Sequence, residues 1–318
     1  MKHDMLLHTT NSHRGGTNPL MAISKTKSSK PTFQLLGKKK MIPQRLKVNA
    51  KRFRASKKAL ALPMTFMILF ASLSVVISLT YYFAVSKVNV NSQILKVSSA
   101  KQNMDTLEDN IKYVVWQPGS SKTLEFGDCS GTLKTEPSAN LLTINVTDGT
   151  FYEVVFNSSV GGLVYELPYS ESSDTGLYLK GTSQVVENKS GAVMTQLYIE
   201  SGEEHPEIVL RYRPIVSVST AGTENGKPVN NVRIYVVNLN SSQNIHLMGK
   251  IPLKISCVNT TTSVSSYNIS YQPESLTAQV TLSNRQAQVS VPISSNENGA
   301  VINIELVVCN AKIERWVR

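Results

Sequence analysis

The chain has 318 residues, 41% of them hydrophobic, and a formal charge of +11, which leaves room for one or two domains with a sizeable core. The charge is unevenly placed: residues 1–58 hold fifteen Lys and Arg against one acid, Asp4, whereas residues 59–318 hold eighteen bases against twenty-one acids. The two parts therefore carry +14 and −3, so the basicity belongs to a leader that abuts an apolar segment, and no nucleic-acid partner is expected.

The first predicted element follows that leader. No charged residue occurs between Lys58 and Lys87, and Leu60 to Val85 is dominated by Leu, Val, Ile, Phe, Met and Ala. A hydrocarbon core of about 30 Å needs about 20 helical residues, so residues 59–86 are predicted as a transmembrane helix. The stretch is longer than the apolar region of a secretory signal, although Ala84-Val85-Ser86 has the small-x-small form of a signal-peptidase site. Tyr81, Tyr82 and Phe83 cluster at its far end, where aromatic rings favour the membrane–water interface. With the bases on the near side, residues 1–58 are expected in the cytoplasm as a disordered leader, and the rest of the chain outside the cell membrane. Met41 is an alternative start, since the nineteen residues from Met41 to Ala59 alone make a basic leader.

Helical periodicity continues beyond the apolar run. Val90, Ile94, Val97, Ala100, Met104, Leu107, Ile111 and Val114 recur at spacings of three and four, while Lys96, Lys101, Asp105, Glu108, Asp109 and Lys112 fall off that stripe. Residues 87–117 are thus predicted as an amphipathic continuation, either a stalk or a helix packed against its own head. The Pro and Gly of "WQPGSS", Trp116 to Ser121, stop it.

After Pro118 the period changes to two. Runs such as "LLTINVT", "FYEVVF", "GLVYEL", "MTQLYIE", "VRIYVVNL", "TAQVTL" and "AVINIELVVC" alternate with Asp-Gly, Gly-Gly, Asn-Gly and Ser/Asn clusters. Residues 118–318 are predicted as an extracellular, antiparallel β-sandwich-like head with a sub-boundary near 214–230. The fold class is α+β: one long N-terminal helix, then a β-rich head.

Six Asn-x-Ser/Thr sequons, at Asn145, Asn157, Asn188, Asn240, Asn259 and Asn268, all lie after the apolar segment. The Asn, Ser and Thr content of that region gives about four such triplets by chance, so the excess is slight. Cys257 and Cys309 end two predicted strands and are candidates for a disulfide, with two buried free thiols as the alternative and Cys129 left over. Neither His205 nor His246 belongs to a cluster with metal-ligand spacing, and Glu203, Glu204, His205 and Glu207 read as a solvated acidic turn. No G-x-S-x-G, P-loop or G-x-G-x-x-G is present, so no catalytic residue, metal or cofactor is expected.

The order of parts resembles type IV pilin-like proteins of the archaeal pilin and archaellin superfamily: Lys57-Lys58-Ala59, an uninterrupted apolar helix, an amphipathic continuation, a Pro-Gly stop and a β-rich head. The resemblance covers Lys57 to Trp116, and the head only in class. It implies a prepilin peptidase that cuts between Ala59 and Leu60, in the region Lys57, Lys58, Ala59 and Leu60. It further implies helices that bundle into a filament core and β heads, often glycosylated, that coat it. The acidic residue that many bacterial pilins place early in the mature helix has Met64 at its position here. The chain is accordingly expected to be a structural subunit or minor component of a surface filament. The other reading is an uncleaved single-pass protein whose ectodomain serves adhesion or binding.

Overall fold

The computed structural model describes residues 57–168, 175–189 and 191–317, with the side chains described from Leu62 onward. The expected leader therefore lies outside the described residues except for its last two. The chain divides into two compact units at Thr65/Phe66.

Helix α1 runs unbroken from Lys57 to Val115, with Pro63 inside it. It is followed by β1 (Ser121–Phe126), β2 (Thr132–Thr147), β3 (Tyr152–Glu166), β4 (Tyr178–Lys180), β5 (Thr195–Ser201), β6 (Pro206–Tyr212) and β7 (Ile215–Glu224). Then come β8 (Lys227–Asn238), β9 (His246–Met248), β10 (Ile251–Ile269), β11 (Ser275–Leu282), β12 (Arg285–Pro292) and β13 (Ala300–Arg315). One sheet has the order β1-β10-β13-β8-β7 and the other β12-β11-β2-β3-β6-β5-β4, with β9 beside β2. The head is mostly antiparallel, but β13 lies parallel to β8, from Val301 beside Val229 to Asn310 beside Asn238. Residues 214–230 form a hairpin inside the first sheet, turned by Asn225 and Gly226, both at positive φ as a tight two-residue turn demands.

Two apolar cores follow from side-chain alternation along β13. Ile302, Ile304, Leu306 and Val308 join one cluster with β2, β8, β11 and the start of β3. Cys309, Ala311 and Ile313 join another with α1, β1, β5, β6 and the start of β10. Successive residues of a strand face opposite sides, so the two clusters occupy opposite faces of the first sheet. Curling of the second sheet covers both. Long β2 and β3 make that possible through register shifts between Glu136 and Asn140 and between Ile144 and Asn145.

The helix enters the first core along its predicted stripe: Ala100, Met104, Leu107, Ile111 and Val114 are fully buried. Val90 and Ile94, which begin the same stripe, are exposed, because the head starts to cover α1 only at Val97.

The chain reverses tightly after α1, through hydrogen bonds from Gln117 N to Val114 O and from Ser120 N to Gln117 O. β1 then runs back along the helix, since Gly127, just past it, accepts a hydrogen bond from the Asn103 side chain. β10 is antiparallel to β1, so it runs with α1 toward the helix end. β1 covers β10 only from Ile251 to Ser256. From Asn259 to Ile269, β10 pairs with β13 alone among the described residues.

Candidate functional site: the bare helix and its seat in the head

From Leu62 to Val85 the helix presents large apolar side chains on all sides, and Val88, Val90, Ile94 and Leu95 follow among polar residues, with Leu62 78%, Phe66 70% and Ile94 61% exposed. Its most apolar stretch has a mean hydropathy of 2.2, and none of it is buried within the molecule. This is one helix long and apolar enough to cross a membrane, by length and composition. Its hydroxyls fit that environment. Ser72, Ser74, Ser78 and Thr80 donate to the carbonyls of Leu69, Phe70, Ser74 and Val76, so these polar groups are satisfied inside the helix. Ala71, Ser74 and Ser78 share one face of small side chains, as expected from their spacing.

Lys57, Lys58, Ala59 and Leu60 form the first turn of α1. An α-helical N–H bonds to the carbonyl four residues earlier, and Pro63 has no N–H. The carbonyl left without that donor belongs to Ala59, the residue on the leader side of the expected cleavage bond.

The other end of the helix is seated by charge. Lys180, on β4, reaches three carboxylates of α1: Asp105 at 2.6 Å, Glu108 at 2.7 Å and Asp109 at 2.9 Å. Glu108 is buried and also accepts a hydrogen bond from Thr195 on β5. Burial acts to lower the Lys180 pKa, but the hydrogen bonds to Asp105, Glu108 and Asp109 outweigh it and raise it. The Lys180 hydrogen bond in turn holds Asp109 below the usual carboxylate range. Gly181 makes the approach possible: its φ is +76°, and a Cβ there would fall 2.1 Å from the Thr195 carbonyl oxygen. Sequence periodicity placed the three carboxylates off the apolar stripe; their common partner was illegible, since Lys180 is about seventy residues away in the chain.

Where α1 ends, Lys112, Val115, Trp116, Met194, Tyr212 and Tyr235 line an apolar hollow of about 310 Å³. Trp116 is half exposed and meets Tyr235 edge-on. The Tyr212 hydroxyl is buried without a hydrogen-bond partner, and burial pushes its pKa well up.

The predicted cysteine pair comes together as two thiols. Cys257 Sγ and Cys309 Sγ are 3.6 Å apart, and the Cys309 thiol also donates to Val115 O at 3.1 Å. Burial pushes the Cys309 pKa up to about 12, and burial likewise raises that of Cys129, which sits beside Asn103 on the helix. Neither is poised as a thiolate nucleophile.

Among the sequon asparagines, Asn157, Asn188, Asn259 and Asn268 are exposed, whereas Asn145 and Asn240 are half-buried. The Asn188 amide donates to Ser290 O, and Asn145 Oδ1 is buried without a partner. The turn holding Glu203, Glu204 and His205 closes through a hydrogen bond from Gly202 N to His205 O, beside the Lys134–Glu166 ion pair. Among the described residues no group of three or more His, Cys, Asp or Glu is arranged to hold a metal ion.

No protein-family model, no curated protein and no solved structure matches the chain.

Proposed function

We propose that the protein is a subunit or minor component of a type IV pilus-like surface filament, held in the membrane by α1 before assembly, with a sandwich-like head outside. One observation carries this reading. Val88, Val90, Ile94 and Leu95 are exposed between the expected span and Val97, where the head begins to cover the helix. Lipid would cover Leu62 to Val85, but these four lie past Lys87, beyond the expected span. Helices of neighbouring copies are their natural cover, and the Ala71, Ser74 and Ser78 face would let helices approach closely. In this reading the head is a coat and the helix is the assembling part.

The unblocked Ala59 carbonyl suits the peptidase step that assembly would need. A single-pass protein that stays in lipid is the second reading; the apolar span supports it equally, but it leaves Val88 to Leu95 without a partner.

The test has two parts. Sequencing the mature N-terminus should find Leu60; an intact leader favours the lone anchor, and a start near Lys87 rules out both readings. Ile94→Cys should cross-link copies at the cell surface, whereas a lone anchor would stay monomeric.

A further inference from the structure

The outer edge of β10 beyond β1 is open to solvent. From Val258 to Ser266 nine consecutive strand residues are exposed, including Val258 at 52% and Val264 at 64%. Thr261, Ser263 and Ser265 pair with Val308, Leu306 and Ile304 of the second core, yet they are themselves open to solvent. This part of β10 therefore overhangs the core and, among the described residues, is paired along one side only. On its free side, alternate residues present an N–H and a C=O outward. Strand edges are commonly guarded by Lys, Pro or a covering loop. The segment "VNTTTSVSSYNI" contains no charged residue, no Pro and no Gly. Its one irregularity, at Val258 between Cys257 and Asn259, falls at the start of the open stretch.

We infer that this edge pairs antiparallel with the same edge of a second copy. Composition favours a self-partner. Paired about Ser263, the strand would set Thr262 against Val264, Thr261 against Ser265 and Thr260 against Ser266. Side chains that form strands readily would meet with no like charges opposed. Such a two-fold contact is self-complementary, as isologous interfaces are.

Position decides what this contact joins. β10 runs with α1 toward the helix end, and Thr260 pairs with Cys309, whose thiol touches Val115 O at that end. Residues 261–269 thus extend past the helix, away from its bare half. Antiparallel pairing would then set the two helices pointing in opposite directions. The contact joins heads from two facing surfaces, cells or filaments, rather than neighbours in one membrane. A single strand pair is a small interface, so attachment arises from many copies acting together. This goes beyond the filament reading and holds equally for a lone anchor.

Full-length chain, made without N-glycosylation because glycans on Asn259 or Asn268 would cover the edge, is reconstituted into phosphatidylcholine vesicles. Light scattering should show that these vesicles cluster and that Val264→Lys or Thr262→Lys vesicles do not. Circular dichroism and thermal unfolding should match the parent, since both sites are exposed. Labelled parent vesicles should not enter clusters with Val264→Lys vesicles. Dispersed parent vesicles, clustering of the Lys variants, or mixed clusters would each overturn the inference. The Ile94→Cys cross-link reads helix contacts alone, so failure here and failure of the filament reading are separable.

Discussion

Lys180 and Glu108 show how much one side chain can hold. Three carboxylates of α1 converge on one ammonium, and Glu108 is almost wholly removed from water. Lys180→Met leaves that carboxylate buried without its cation, a situation that costs about 3–5 kcal/mol. Chemical unfolding of the head should show the loss, with Glu108→Gln milder because Asp105 and Asp109 still engage the lysine. Gly181→Ala should destabilise through the same seat, by strain at positive φ and by collision with the Thr195 carbonyl. The pH dependence has two sides. The Asp109 pKa is lowered in the folded chain, so its contribution is present above its ordinary pKa, about 4, and fades as pH falls through the folded value. The Lys180 pKa is raised, so its contribution is full below about 10.4 and fades as pH climbs through the folded value. Stability of the helix seat should be flat between those limits, and Lys180→Met should flatten the acid side. At the other end of the helix, Pro63→Ala would restore an N–H to the Ala59 carbonyl. Under the peptidase reading, cleavage after Ala59 should slow, as the ratio of precursor to mature chain in a pulse-chase would show.

Among the elements, α1 was the most legible in sequence, because its stripe from Val97 to Val114 reports burial directly. Leu107→Ala should cost about 2–5 kcal/mol in unfolding of the head, whereas Ile94→Ala should cost the isolated chain little, since Ile94 is exposed. The exposure of Val90 and Ile94 could not be read from periodicity, which reports a face and not what covers it. Strands buried on one side were equally legible: "TAQVTL" falls within β11, and "VRIYVVNL" lies in β8 but for its last residue. "FYEVVF" and "GLVYEL" proved to be one strand, β3, because Ser158 and Ser159 continue the ladder where turn chemistry suggested a break. The missed strand residues have physical reasons. Thr132 to Asn140 contains Pro137, which falls in the irregular gap between Glu136 and Asn140. Val258 to Ile269 shows no alternation because most of it is exposed on both faces. The Cys257–Cys309 proximity was suggested by two strand ends. Its geometry adds an expectation: a mild oxidant should convert the pair into an intramolecular disulfide, seen by mass spectrometry as the loss of two hydrogens, with Cys129 left as a thiol.

For the molecule as a whole, the helix is continuous while its surroundings change. Its first part is bare and apolar, and its last turns are enclosed by both sheets. Cutting α1 between Leu95 and Val97 should therefore separate the bare apolar stretch from the head without removing a core residue. The head chain beginning at Val97 should behave as a soluble species by size-exclusion chromatography, whereas a chain beginning at Met104 should unfold, because it loses Val97 and Ala100 from the core.

The placement of β13 governs when this head can exist. It is synthesised after the two strands it pairs with, yet it lies at the centre of the first sheet, between β10 and β8, and contributes to both cores. Until Ala300 to Arg315 has emerged, β10 and β8 have no common neighbour and neither core can close. Closure of the head is thus deferred until β13 has been synthesised. A ribosome-stalled product ending before Ala300 should be digested by protease along its length, and release of sixteen more residues should protect it abruptly.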